Sequence, residues 1–157
     1  MNDQTQNRLL TGLATMGPIG YLPKMPGTWG SLAAALLGYF ILLPLPAVVR
    51  PAVIMVVLAV GVEACTRAEI VLGKKDPGCV VFDELFGQWV AMLPLAAGTP
   101  WWMVAVSFVL FRIFDIFKPW PVGKIERSYE GGLGVMLDDG AAGVYAFLGV
   151  WLLAALL

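Results

Sequence analysis

Apolar runs with charged side chains at one end constrain this chain more than any other feature. Val80-Val81-Phe82-Asp83-Glu84-Leu85-Phe86-Gly87 opens one run on two acids. Phe111-Arg112-Ile113-Phe114-Asp115-Ile116-Phe117-Lys118-Pro119-Trp120 closes another on Asp115 and Lys118, and Asp138-Asp139 open the last. A charge in a segment apolar enough to enter a bilayer is costly, so by default it marks a site. Carboxylates beside cations at a membrane surface point to a metal ion and a phosphorylated lipid.

Composition sets the class. The chain has 157 residues, enough for a single domain over 1–157, and is 59% apolar and only 13% charged. Soluble proteins average about 45–50% and about 25%. With a mean hydropathy of +0.81, the expectation is an integral membrane protein. A net charge of −1 without a basic run leaves no footprint for nucleic acid. The absence of histidine removes His-ligated metal centres and histidine-based phosphatase chemistry.

The pattern predicts an all-α, polytopic bundle of about five hydrophobic helices plus a short N-terminal helix. That first helix is expected from Gln4 to Thr15, followed by the Gly/Pro-rich Gly17–Gly27, which breaks it. The spans are then expected at Thr28–Leu43, Pro51–Leu72, Val80–Ala97, Trp101–Phe117 and Asp138–Leu156, with a Gly-containing loop from Lys118 to Leu137. Several are close to the minimum of about 17 residues for a crossing. With a cytoplasmic N-terminus, Arg8, Lys24, Lys74, Lys75, Lys118, Lys124 and Arg127 fall on the cytoplasmic side, and only Arg50 falls opposite. This bias sets the orientation. The same threading brings Asp76, Asp83, Glu84, Asp115, Asp138 and Asp139 to the cytoplasmic face.

Each candidate has a plainer reading beside it. Asp83-Glu84 and Asp138-Asp139 suit a shared Mg²⁺, which takes hard oxygen donors together with substrate phosphate. Either pair could instead be acids favoured by a helix N-terminus. Two acidic pairs converging at one interface, however, would need positive charge between them. Arg112, Asp115 and Lys118 recur every three residues. They are either an intrahelical ion pair with a snorkelling lysine or a phosphate-binding edge. Pro26-Gly27-Thr28-Trp29-Gly30-Ser31 could cap a helix or hold phosphate through Thr28, Ser31 and free N–H groups. Glu63 and Arg67, four apart, are expected to form a buried pair, and Glu69 with Lys74-Lys75 to lie at the interface.

Taken in order, Pro26–Ser31, Asp76-Pro77-Gly78 with Val80–Gly87, Phe111–Pro121 and Glu130–Asp139 resemble the phosphatidylglycerophosphatase A family of bacterial inner-membrane enzymes. The resemblance runs from about Gly17 to Tyr145, with departures at Phe82, Glu126 and Gly140. It implies a multi-pass, Mg²⁺-dependent phosphatase that converts phosphatidylglycerophosphate to phosphatidylglycerol and inorganic phosphate at the cytoplasmic face. Its motifs carry over Asp76, Asp83, Glu84, Asp115, Lys118, Asp138 and Asp139 as site candidates, followed by Thr28 and Ser31.

The expected division of labour has metal on Asp83, Glu84, Asp138 and Asp139, and phosphate on Lys118 and Arg112. Asp83 or Asp115 would take the proton of an attacking water. Other phosphatase designs fail on the letters. A cysteine phosphatase needs an arginine where Val71 and Leu85 stand, and no Asp-x-Asp is present. The rival class is an ion-coupled transporter or channel, which would need polar groups through the full depth of the membrane. Only Glu63 and Arg67 are expected to lie deep.

Overall fold

The computed structural model describes residues 3–156, with the side chains of Glu126 and Arg127 outside that description. The expectations resting on those two side chains therefore lie outside the described residues. The protein is all-α, and no strand occurs among the described residues. Seven α-helices follow one another among the described residues: α1 Asp3–Ala14, α2 Pro26–Leu37, α3 Arg50–Leu72, α4 Phe82–Ala91, α5 Trp101–Phe117, α6 Val122–Ser128 and α7 Gly131–Leu156.

Local chemistry sets most of these boundaries. Proline occupies the first turn of α2 and of α3, where a missing N–H costs nothing. Gly73 ends α3 in the left-handed conformation at φ 63°. Lys118 ends α5 in the same way, directly before Pro119, which disfavours further helix. α2 does not stop at Leu37 but widens into a π-helical stretch, Gly38–Leu42.

Two of the expected spans differ from the structure. The run Val80–Ala97 forms a helix only over Phe82–Ala91, every residue of which is buried. Ten residues rise about 15 Å, half a hydrocarbon core of about 30 Å. This helix is the axis of the bundle, enclosed by α2, α3, α5 and α7. The last helix begins at Gly131 rather than at Asp138, so Asp138 and Asp139 lie about two turns inside it. Gly131–Gly134 is helix, not loop, because Gly132 lies against α3. A methyl group at Gly132 would come within 2.6 Å of the Thr66 nitrogen. At 26 residues, α7 is the one described helix clearly long and apolar enough to cross a membrane.

Glycines bring α4 and α7 into backbone contact. A Cβ on Gly143 would collide with the carbonyl of Gly87, and one on Gly87 would lie 2.6 Å from the carbonyl of Asp139. Small residues permit such approach where helices pack without a hydrophobic driving force. Asp83 lies four residues before Gly87, and Asp139 four before Gly143. Asp83 is therefore one turn from the contact and Asp139 is part of it, and the two helices present the acids to each other.

Candidate active site

The acids converge at the end of the bundle where α2 and α4 begin and α3 and α5 finish. Asp83, Glu84 and Asp139 each offer one carboxylate oxygen, and these atoms all lie within 4.8 Å of one another. All three residues are buried, at 8%, 8% and 4% exposure. Asp83 Oδ1, Glu84 Oε2 and Asp139 Oδ2 have no hydrogen-bond partner. Buried polar atoms are nearly always satisfied, so three orphans in one place call for an explanation. Like charges this close repel, and a cation among them would resolve both the repulsion and the missing contacts. An all-oxygen donor set suits a hard divalent ion. The dipole reading does not cover Asp139, which is too far inside α7 to feel its N-terminus.

Adjacent residues on a helix diverge by about 100°, and here that separates the last two acids. Asp139 faces α4, whereas Asp138 turns to the Lys118 ammonium, which donates to its Oδ2 at 2.8 Å. Lys118 is not on the face of α5 that carries Arg112 and Asp115. As the left-handed cap residue it leaves the helix axis and reaches across to α7.

Arg112 is the cation nearest the acids. Its Nη1 lies 2.5 Å from Asp115 Oδ2, 3.9 Å from Glu84 Oε1 and 3.3 Å from Ser31 Oγ, while its Nε has no partner. Asp115 is held by this pair and stands outside the group of three.

The Pro26–Ser31 segment forms the first turn and a half of α2 and abuts the acids directly. A Cβ on Gly27 would collide with Glu84 Oε1. Ser31 donates to the Gly27 carbonyl at 2.7 Å, and Thr28 Oγ1 is buried without a partner. Neither hydroxyl caps the helix, since the capping position is Met25 and makes no side-chain bond.

Beside the acids lies a polar hollow of about 720 Å³, lined by Lys75, Asp76, Tyr129, Gly131, Gly134, Val135 and Asp138. Its volume is in the range of small-molecule sites. Asp76 belongs to this hollow and is exposed, with its N–H donated to Glu69 Oε1 at 2.8 Å. A second cleft of about 380 Å³ is lined by Lys118, Trp120, Gly123, Lys124 and Ser128.

Sequence reasoning placed Glu69 and Lys75 only at the interface and gave no role to Tyr129. Glu69 fixes the loop that carries Lys75 and Asp76, a link across seven residues that no local pattern reveals. Glu63 and Arg67 do pair, at 2.9 Å, but their side chains are 53% and 42% exposed, on the outside of α3. They are neither buried nor near the acids.

Fold and site together define an all-helical protein whose clustered buried carboxylates lie next to Asp138, which lines a polar hollow and pairs with a lysine. The sequence model for phosphatidylglycerophosphatase A matches residues 12–154, and the chain belongs to that family. It is thus a phosphatase, a phosphoric monoester hydrolase. It is 40% identical to phosphatidylglycerophosphatase A of Escherichia coli (strain K12), over 80% of this chain and 72% of that one. Against the Haemophilus influenzae protein of the same name identity is 31%, over 94% and 95%. A Bacteroides thetaiotaomicron protein named "Putative phosphatidylinositol-3-phosphatase" is 42% identical, over 82% and 83%. No solved structure matches significantly.

Proposed function

We propose that this chain is a Mg²⁺-dependent lipid phosphatase that hydrolyses phosphatidylglycerophosphate to phosphatidylglycerol and inorganic phosphate. It would work as a multi-pass protein of the bacterial inner membrane, with its site at the cytoplasmic face. The observation that carries the reading is the set of three unpartnered carboxylate oxygens, delivered by two helices beside a hollow large enough for a headgroup.

The surface supports a bilayer setting. Phe40, Ile116, Phe117, Leu148, Leu152 and Trp151 are all more than half exposed, whereas Asp83, Glu84, Gln88, Asp138 and Asp139 are buried. Apolar outside and acidic inside reverses the arrangement expected in water. α7 would rise about 39 Å, sufficient for the hydrocarbon core. The loops and helix ends around the acids carry Lys24, Lys74, Lys75, Lys118 and Lys124, which supports a cytoplasmic site.

Asp83, Glu84 and Asp139 would hold the ion. Mg²⁺, when bound, would neutralise charge on the phosphoryl group and make the attacking water more acidic. Lys118 donates to the non-bridging phosphoryl oxygens from its position against Asp138, in keeping with a reaction dominated by positioning and electrostatics. Asp138, oriented by Lys118 and lining the hollow, accepts the proton of the attacking water. Arg112 keeps Asp115 and Glu84 in place as a positioning residue.

The Bacteroides relative favours phosphatidylinositol 3-phosphate as a second substrate of the same kind, a phosphomonoester on a lipid headgroup. Phosphate release from the two lipids in mixed micelles, with Mg²⁺ and with chelator, tests both readings. The expected result is faster release from phosphatidylglycerophosphate, abolished by chelator. Release untouched by chelator would remove the metal, and faster release from the inositide would transfer the assignment to the second substrate.

A further inference from the structure

The polar hollow shares one wall residue with an apolar groove. Tyr129 lines the 720 Å³ hollow and also a groove of about 370 Å³ between α4, α6 and α7. Phe86 and Val90 of α4, Ile125 of α6, and Gly140 and Val144 of α7 form its walls, and no charged side chain lines it. Gly140 directly follows Asp138-Asp139, so acids and groove adjoin along one helix. Another apolar groove of about 370 Å³ lies between α2 and α5, lined by Leu36 and Phe108 among others, but it shares no residue with the hollow.

We propose that the α4/α6/α7 groove seats an acyl chain of the substrate whose phosphate enters the hollow. This rests on the reading of that substrate as a membrane lipid phosphate. The uncharged walls take hydrocarbon rather than a second headgroup, and Tyr129 stands at the junction where chain gives way to glycerol. An anchored chain would fix how far the headgroup reaches toward Asp83, Glu84 and Asp139. Chain binding would therefore appear in KM.

Two measurements decide it. First, Val144→Trp should raise KM for the diacyl lipid about tenfold, the loss expected from displacing about two methylene contacts, while leaving its deacylated headgroup unaffected. Leu36→Trp, in the other groove, should change neither. Equal effects of Val144→Trp on both substrates, or an effect carried by Leu36→Trp, would overturn the proposal. Second, a lipid phosphate with a diazirine on its acyl chain should label Ile125 and Val144 peptides in the wild-type protein, in preference to Leu36 and Phe108 peptides. Even labelling of the two grooves would overturn the proposal independently of turnover. Should wild type hydrolyse neither lipid nor headgroup, it is the proposed function that falls, and labelling still decides the groove.

Discussion

Arg50 and Arg112 are cations taken largely out of solvent at opposite ends of one bundle, and their surroundings differ in kind. Arg50 is 4% exposed, and the partners of its guanidinium among the described residues are backbone carbonyls. Its Nε donates to Leu45 O at 3.0 Å, its Nη2 to Leu43 O at 2.8 Å and its Nη1 to the Leu95 carbonyl. These acceptors are carbonyls left over where the π stretch after α2 and the turns after α4 run out, so one side chain closes two helix ends. Arg112 faces Asp115, Glu84 and Ser31, yet its Nε remains unpaired, as do three nearby carboxylate oxygens. A buried charge whose every group is satisfied holds a fold together. One amid unmet partners marks where something else is meant to bind.

The contrast predicts opposite consequences for activity and stability. The largest effect should come from Asp139→Asn, which removes a proposed metal ligand and should cut phosphate release by about 10³-fold or more. The same change takes away an unpaired buried charge, so metal-free thermal stability should hold or rise. A variant that loses activity by unfolding would break the comparison.

Next in size, Arg50→Met should leave the carbonyls of Leu43, Leu45 and Leu95 without donors and cost about 3 kcal/mol of stability. The rate per folded molecule should stay near wild type, as read by denaturation in detergent beside active-site-normalised turnover. Unchanged stability, or a specific loss of turnover, would erase the distinction between the two ends.

The smallest effect sharpens the boundary of the acid end. Glu69→Ala removes the acceptor of the Asp76 N–H and should raise KM about fivefold, or about 1 kcal/mol, with little change in kcat. A fall in kcat alone would move Glu69 from the rim of the hollow to its chemistry.

Much of this was legible before the structure. Pro51–Leu72 and Trp101–Phe117 are mostly apolar runs without internal proline, bounded by proline, glycine or both, and the helices fall within a residue of those limits. The acids were legible because charge is rare in such a chain. What escaped depended on neighbours in space. An apolar helix reads the same whether protein or lipid surrounds it, so α4 passed for a span although protein encloses it on every face.

Gly131–Gly134 carried a turn composition, and the close approach of α3 made it helix instead. That shift alone moves Asp138-Asp139 from a helix start into the interior. Arg50 looked like a loop cation that counted toward orientation, yet it is consumed by backbone carbonyls.

Manganese binding followed by electron paramagnetic resonance on detergent-purified protein tests the shared ion most directly. A saturable Mn²⁺ signal should be present in wild type, lost in Asp83→Asn and Asp139→Asn, and kept in Asp76→Asn and Arg50→Lys. Binding that is absent from the wild-type protein, or that survives in both ligand variants, would contradict the claim that Asp83, Glu84 and Asp139 converge to hold a divalent cation.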